Sequence, residues 1–235
     1  MKNILSIDTS GEYCSIAILT PEHNYSFHQH RPREHANIVL AEIETLLAQA
    51  QMGVNELDAI VYGRGPGSFT GIRIAAGVAQ GLAMAVGCPI IPISTLQSLA
   101  WSAAKQNMDT CWVALDARMS EVYFASFYVN EKGIPVNEVD ESVLAPKHIL
   151  DTLVLNQQTN FVGNGWVAGY ELSPDLVSAL GSSEIQILVP NALDSAQLAM
   201  ALYQQDISVA VSPELALPTY LRDNVTWDNK PKVGS

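Results

Sequence analysis

The segment Tyr62-Gly63-Arg64-Gly65-Pro66-Gly67-Ser68-Phe69-Thr70-Gly71-Ile72-Arg73 has the residue types and spacing that most suggest chemistry. Glycine lets a backbone turn tightly and lets another group come close to it. A glycine-rich loop that opens a helix can hold an anion against the helix N-terminus. The Gly-Lys-Ser/Thr ending of a P-loop is missing here, as is the dinucleotide fingerprint. Two readings stand: a loop that simply turns a strand into a closely packed helix, or one that cradles an anion. Two acids share a second pattern. Asp8 lies in Ile7-Asp8-Thr9-Ser10, ahead of Cys14-Ser15-Ile16, and Asp116 lies in Leu115-Asp116-Ala117-Arg118, ahead of Val122-Tyr123-Phe124. Each is an acid at a strand end, followed by a tight turn and a returning strand. Such an acid is a turn former when alone. A nucleotide site would need both acids and a glycine-rich adenosine loop, for which Phe161-Val162-Gly163-Asn164-Gly165-Trp166 is the candidate. Together these pieces support a fold more than they support ATP binding.

His23, His28, His30 and His35 cluster in sequence. His28 and His30 alternate along an expected strand and would share a face, but no carboxylate spacing beside them supports a metal. No Gly-x-Ser-x-Gly elbow or His-Glu-x-x-His helix is present, and Ser68 has no base partner nearby in sequence. Cys14, Cys88 and Cys111 are odd in number, match no metal spacing and have apolar neighbours, which reads as buried reduced thiols in a cytosolic protein. The net charge is −12, from 12 Lys and Arg against 24 acids, with no basic stripe. Phosphate binding needs cations, so if the chain works on RNA another subunit supplies most of the RNA-binding surface. Hydrophobic residues make up 48% of the chain, as expected of a globular fold. The first residues do not read as a signal peptide. The most apolar stretch, Gly71 to Val86, reads as too short for a membrane span and contains Arg73 and Gln80.

The elements that must position these residues follow from periodicity. Strands are expected at Ile4 to Asp8, Tyr13 to Leu19, Tyr25 to His30, Leu57 to Tyr62 and Pro89 to Ile93. Helices are expected at Glu34 to Gln51, Ile72 to Val86, and from a Ser94 cap to about Lys105. The glycine loop fills Gly63 to Gly71. Strands at Cys111 to Leu115 and Glu121 to Val129 open the second half in a similar way, with later helices near Pro146 to Leu153 and Ser195 to Gln204. The order predicts an α/β layer with a mixed sheet, divided into residues 1–108 and 109–235. The second helix is rich in small residues: Gly71, Ala75, Ala76, Gly77, Ala79, Gly81, Ala83 and Ala85. Gly inside a helix costs about 1 kcal/mol against Ala. The expected return is close approach by another helix, either internal or from a second subunit.

Four motifs together resemble the TsaB family, formerly called YeaZ: Ile4-Leu5-Ser6-Ile7-Asp8-Thr9-Ser10, Gly63 to Gly71, Asp116-Ala117-Arg118-Met119-Ser120-Glu121-Val122-Tyr123, and Pro218-Thr219-Tyr220-Leu221-Arg222. The resemblance implies an actin-like fold of the acetate kinase/Hsp70/actin type, with two related subdomains, the second shortened. It makes Asp8, Thr9, Ser10 and Asp116 vestigial phosphate-loop positions. It implies a subunit with no catalytic residues of its own, and no cofactor or metal bound by the chain alone. The implied partners are the catalytic subunit TsaD and the ATPase TsaE, which use the ATP and the metal. The implied reaction is threonylcarbamoyl transfer to N6 of adenosine 37 in tRNAs reading codons that begin with A. The resemblance further implies a homodimer when alone, tRNA contact only through the complex, no membrane, and a cytoplasmic location. The catalytic relative's His-x-x-x-His metal pair falls on Thr95 and Leu99 here. The family's dimer contact uses the first two helices, which points to His35, Ile38, Val39, Glu42, Ile72, Ala75, Ala76 and Ala79 as partner-facing. The motif loop itself is Gly65, Pro66, Gly67, Ser68, Phe69, Thr70 and Gly71. The competing classes are a stand-alone actin-like ATPase or kinase, and a metallopeptidase.

Overall fold

The computed structural model describes residues 1–151, 153–154 and 159–222. The chain opens with three strands, β1 (Ile4–Asp8), β2 (Tyr13–Leu19) and β3 (Asn24–His30). Two crossovers follow, through α1 (His35–Gln49) to β4 (Ala59–Gly65) and through α2 (Phe69–Val86) to β5 (Ile90–Ser94). All five residues of β1 are buried, which marks a central strand covered on both faces. It pairs antiparallel with β2 and parallel with β4, giving the order β3-β2-β1-β4-β5. Side chains alternate across the sheet. Leu5, Ile7, Ile60 and Tyr62 face one core with Val39, Ile43, Ala75 and Ala79 from α1 and α2. Ile4, Val61 and Ile91 face another, covered by Ala196, Leu198 and Ala199 of α5 (Ala192–Gln205).

After α3 (Thr95–Ala104) the chain builds a second sheet from β6 (Thr110–Asp116), β7 (Val122–Val129), β8 (Pro135–Leu144), β9 (Asn160–Val162) and β10 (Ile185–Gln186), with α4 (Pro174–Gly181) between the last two strands. Its order, β8-β7-β6-β9-β10, and its parallel and antiparallel pairings match those of the first sheet strand for strand. β6 therefore takes the place of β1, and Asp116 the place of Asp8. Cys111 and Val113 face α3, while Trp112 and Ala114 face an aromatic core with Phe124, Phe161 and Trp166.

Several boundaries differ from the sequence reading. β4 continues to Gly65 and α2 begins at Phe69, so only Pro66, Gly67 and Ser68 remain as loop. Pairing with β5 supplies the ladder that glycine-rich sequence does not advertise. Starting at Phe69, α2 is 18 residues and apolar enough to cross a membrane by length and composition. It lies instead on the first sheet, with Ile72, Ala75, Ala76, Ala79 and Ala83 buried. The helix expected near Pro146 is a short 3-10 turn, Pro146–Asp151. The first sheet draws its strands from residues 4–94 and the second from residues 110–186, while α5, later in the chain than both, packs on the first sheet. Polar contacts bind that return: Ser98 Oγ meets Ser195 Oγ at 2.9 Å, and Lys105 Nζ reaches Asp194 Oδ1 at 2.6 Å.

Candidate functional site

The turn after β1 packs backbone-to-backbone against the junction of β4 and α2. Asp8 Oδ1 accepts from the Ser10 amide at 2.9 Å and the Ser10 hydroxyl at 2.7 Å. The Ser68 amide donates to the Ser10 carbonyl at 2.7 Å, and Thr9 Oγ1 donates to the Gly71 carbonyl at 2.7 Å. Three glycines permit this. A Cβ at Gly63 would sit 2.2 Å from Asp8 Oδ2, one at Gly67 2.5 Å from the Ser10 carbonyl, and one at Gly71 1.9 Å from the Thr9 carbonyl. Ser68 caps α2, accepting the Gly71 amide at 3.3 Å. The amides of Ser68 and Gly71 are thus consumed inside the protein, which favours the reading of this loop as a tightly packed strand-to-helix junction. Asp8 is buried, and its Oδ2 has no hydrogen-bond partner among the described residues. Burial pushes its carboxyl up, against the opposing pull of Ser10 and His35.

Asp116 shapes the equivalent turn in the second sheet. Its Oδ1 accepts from the Arg118 amide at 2.8 Å and the Tyr170 hydroxyl at 2.6 Å, and its Oδ2 pairs with the Arg118 guanidinium at 2.8 Å. Hydrogen bonding to Asp116, more than burial, holds the Tyr170 phenol above its usual range. Arg118, Met119 and Ser120 all have left-handed backbones, with φ of 62°, 56° and 60°. Side chains other than glycine rarely adopt that region. The supposed adenosine loop is a packing element. A Cβ at Gly163 would lie 2.2 Å from the Ala114 carbonyl oxygen, and one at Gly165 2.8 Å from the Ala114 carbonyl carbon. Trp166 Nε1 donates to the Val162 and Trp112 carbonyls at 3.0 and 3.2 Å.

The closing motif links β4 and α2 to the turn after β6. Tyr62 donates to the Leu217 carbonyl at 3.0 Å, and the Thr219 amide donates to the Arg64 carbonyl at 2.8 Å. Arg73 Nε donates to the Tyr220 hydroxyl at 2.7 Å while its guanidinium lies 3.5 Å above the Phe69 ring. Arg222 then reaches the Ala117 carbonyl at 3.2 Å and the Glu121 carboxylate. Sequence reasoning recognised the motif but not this bridging role, because the hydrogen bonds that Tyr220 and Arg222 make to the rest of the chain each span more than a hundred residues.

The residues expected to face a partner are mostly internal. His35, Val39, Ile72, Ala75, Ala76 and Ala79 are buried, and Ile38 and Glu42 are half-buried. His35 Nε2 contacts the Gly11 carbonyl at 3.0 Å, and its buried Nδ1 has no partner among the described residues. The helical period turns these positions inward and leaves Leu40 (55% exposed), Phe69 (41%) and Met84 (56%) outside. Arg73, Gly77 and Gly81 share the outer face of α2. A Cβ at Gly77 or Gly81 meets nothing within 4 Å among the described residues, so neither glycine serves a helix contact there.

The histidines of β3 are engaged locally. His28 stacks on Tyr13 at 4.8 Å and meets Ser15 Oγ at 3.0 Å, and His30 Nε2 lies 3.2 Å from Glu12 Oε2. Among the described residues, no group of three or more His, Cys, Asp or Glu side chains could hold a metal ion. Cys14, Cys88 and Cys111 are buried free thiols, and burial pushes Cys14 and Cys111 up to about 12.

Residues 29–230 match the family model described as "TsaD: tRNA N6-adenosine threonylcarbamoyltransferase". The TsaB protein of Escherichia coli is 38% identical, with 97% of this chain and 98% of that protein aligned. The TsaB protein of Haemophilus influenzae is 36% identical, with 97% of each covered. The solved structure "YeaZ from Pseudomonas aeruginosa" superposes with a TM-score of 0.80 at 34% identity, covering 94% of this chain and 100% of that one. This likeness puts the chain, with its two five-stranded sheets bridged by a C-terminal clasp, in the threonylcarbamoyladenosine-forming class of proteins. Within that class, the chain belongs to the TsaB family.

Proposed function

We propose that this chain is the non-catalytic partner subunit required for threonylcarbamoyl transfer to N6 of a tRNA adenosine, acting with TsaD and TsaE. The observation that carries this reading is the junction between the Asp8 turn and α2. The backbone amides that an anion would need there are already spent, Ser68 on the Ser10 carbonyl at 2.7 Å and Gly71 on Ser68 Oγ at 3.3 Å, and a Cβ added at Gly71 would lie 1.9 Å from the Thr9 carbonyl oxygen. Leu99, at one position of the relative's metal pair, is a buried apolar side chain without a donor atom, and Thr95 beside it is also buried. The matched strand orders of the two sheets support an actin-like fold with two related subdomains, the second carrying shorter crossovers.

In this reading ATP and the metal belong to the partner subunits, and tRNA is met only within the complex. A net charge of −12 fits a scaffold better than an RNA-binding surface. The outer face of α1 and α2, rather than the inward alanines, meets the partner, and the isolated chain pairs with itself through that face. The site of action is the cytoplasm.

The test is an omit-one reconstitution with tRNA, threonine, bicarbonate, ATP, the adenylate-forming enzyme, TsaD and TsaE, with and without this chain. The expected result is modified adenosine only when the chain is present, and none from the chain alone. Equal modification without it overturns the reading. Saturable micromolar ATP binding by the isolated chain would then favour a stand-alone nucleotide-binding protein.

A further inference from the structure

Residues 213–222 run from the first sheet's side of the molecule to the second. Their first anchors lie on α2 and β4. Gln80 Nε2 donates to the Pro213 and Ala216 carbonyls at 3.0 and 3.1 Å, the Tyr62 hydroxyl donates to the Leu217 carbonyl, and the Thr219 amide donates to the Arg64 carbonyl. Tyr220 is then clamped by two exposed side chains of α2. Arg73 Nε donates to its hydroxyl at 2.7 Å, and the Phe69 ring lies 5.7 Å from its own. Among the described residues Arg73 pairs with no carboxylate, so the two rings are what it holds. Two positions on, Arg222 grips the turn after β6 at three points: the Ala117 carbonyl at 3.2 Å, Met119 Sδ at 3.6 Å and the Glu121 carboxylate. That turn is costly by itself. Arg118, Met119 and Ser120 are all left-handed, a region that side chains other than glycine enter at a price in free energy. Its own ladder is two bonds, the Ala117 amide to the Glu121 carbonyl at 3.0 Å and the Glu121 amide to the Arg118 carbonyl at 3.1 Å. A strained turn braced from another part of the fold loosens when the brace is withdrawn.

Resting on the reading that the outer face of α2 meets a partner, we propose that residues 220–222 are a relay between that face and the left-handed turn. Phe69 and Tyr220 are 41% and 45% exposed, and Arg73 lies exposed between them. A partner that covers these three side chains stops their motion. Arg222 is then held more firmly on the turn, and the turn tightens. The link has little slack: the half-buried Leu221 alone separates the residue fixed by α2 from the residue that holds the turn. Linkage makes the effect reciprocal, so an ordered turn raises affinity for the partner by the same factor.

Hydrogen exchange on the full chain, alone and with TsaD, reads the relay. In the chain alone, Arg73→Ala quickens exchange at the Ala117 and Glu121 amides about fivefold, while the amides of β1 keep the parent's rates. Gly77→Ala, on the same face with nothing within 4 Å of the new Cβ, leaves both turn amides unchanged. TsaD slows the two amides of the parent about fivefold. Arg222→Ala still binds TsaD, about fivefold more weakly by the same linkage, and its turn no longer responds. Parent-like exchange at the turn of Arg73→Ala, or equal quickening in β1, overturns the inference. So does slowing by TsaD that persists in Arg222→Ala, because the partner then covers the turn directly. If TsaD fails to bind the parent, the proposed function falls, and the Arg73→Ala comparison in the chain alone still decides the relay.

Discussion

Replacing Gly71 by Ala tests the junction most directly. The new Cβ would lie 1.9 Å from the Thr9 carbonyl oxygen and 3.0 Å from its carbon, where ordinary contact begins at 3.4 Å. Both atoms are backbone, so no side-chain rotation relieves the clash, and α2 must move by roughly 1.5 Å from the β1 turn in an interior packed without slack. That shift breaks the 2.7 Å bond from Thr9 Oγ1 to Gly71 and the 2.7 Å bond from Ser68 to Ser10. Overpacking costs about 1–3 kcal/mol, and two buried hydrogen bonds add about 1 kcal/mol each. The helix propensity of Ala returns about 1 kcal/mol. The expected net loss is about 2–4 kcal/mol, a large part of an ordinary domain's stability. Gly77→Ala is the internal control, in the same helix with nothing within 4 Å of its Cβ, and should stabilise by about 0.5–1 kcal/mol. Urea unfolding of both variants, fitted with a shared slope, gives the two changes. A Gly71→Ala midpoint within error of the parent, or a Gly77→Ala midpoint below it, would refute the reasoning.

Gly63→Ala should destabilise because its Cβ meets Asp8 Oδ2 at 2.2 Å. Adding Asp8→Ala should recover part of that loss, giving a double-mutant coupling above about 1 kcal/mol, whereas purely additive changes would contradict the contact. Burial raises the Asp8 carboxyl above its ordinary 3.8, so the folded state holds this proton more tightly than the unfolded chain. Stability from Asp8 is therefore greatest below that value and falls as pH rises through the folded-state pKa. Asp8→Asn should flatten that fall and raise the unfolding midpoint at neutral pH; an unchanged pH profile would count against it. Arg222→Ala should release the clasp on the left-handed turn. Hydrogen exchange should then quicken at the Glu121 amide, which donates to the Arg118 carbonyl at 3.1 Å, while β1 stays protected; unaltered exchange at Glu121 would mean that Asp116 alone holds the turn.

Elements with a strong local signal were legible in the sequence. Ile38, Val39, Ile43, Leu46 and Leu47 marked α1, and Ser94 marked the start of α3, where its Oγ accepts from the Leu96 and Gln97 amides at 3.2 Å. β8 escaped notice because Pro-Val-Asn-Glu-Val-Asp-Glu-Ser-Val-Leu is largely polar and draws its stability from pairing with β7. The end of β4 escaped for a related reason, since Gly63-Arg64-Gly65 reads as loop until β5 pairs with it.

The site divides in the same way. Residue order alone placed an acid at the end of each lobe's first strand, named the glycines of the junction, and marked the closing motif, because turn chemistry and glycine spacing are local properties. Which atoms those glycines accommodate was settled only when the Asp8 turn packed against α2. Likewise, small residues lie on every side of α2, so sequence could not separate Ala75, Ala76 and Ala79, which the sheet buries, from Gly77 and Gly81, which it leaves exposed. That choice belongs to the tertiary structure, because helical spacing fixes which residues share a face, while the sheet beneath decides which face turns inward.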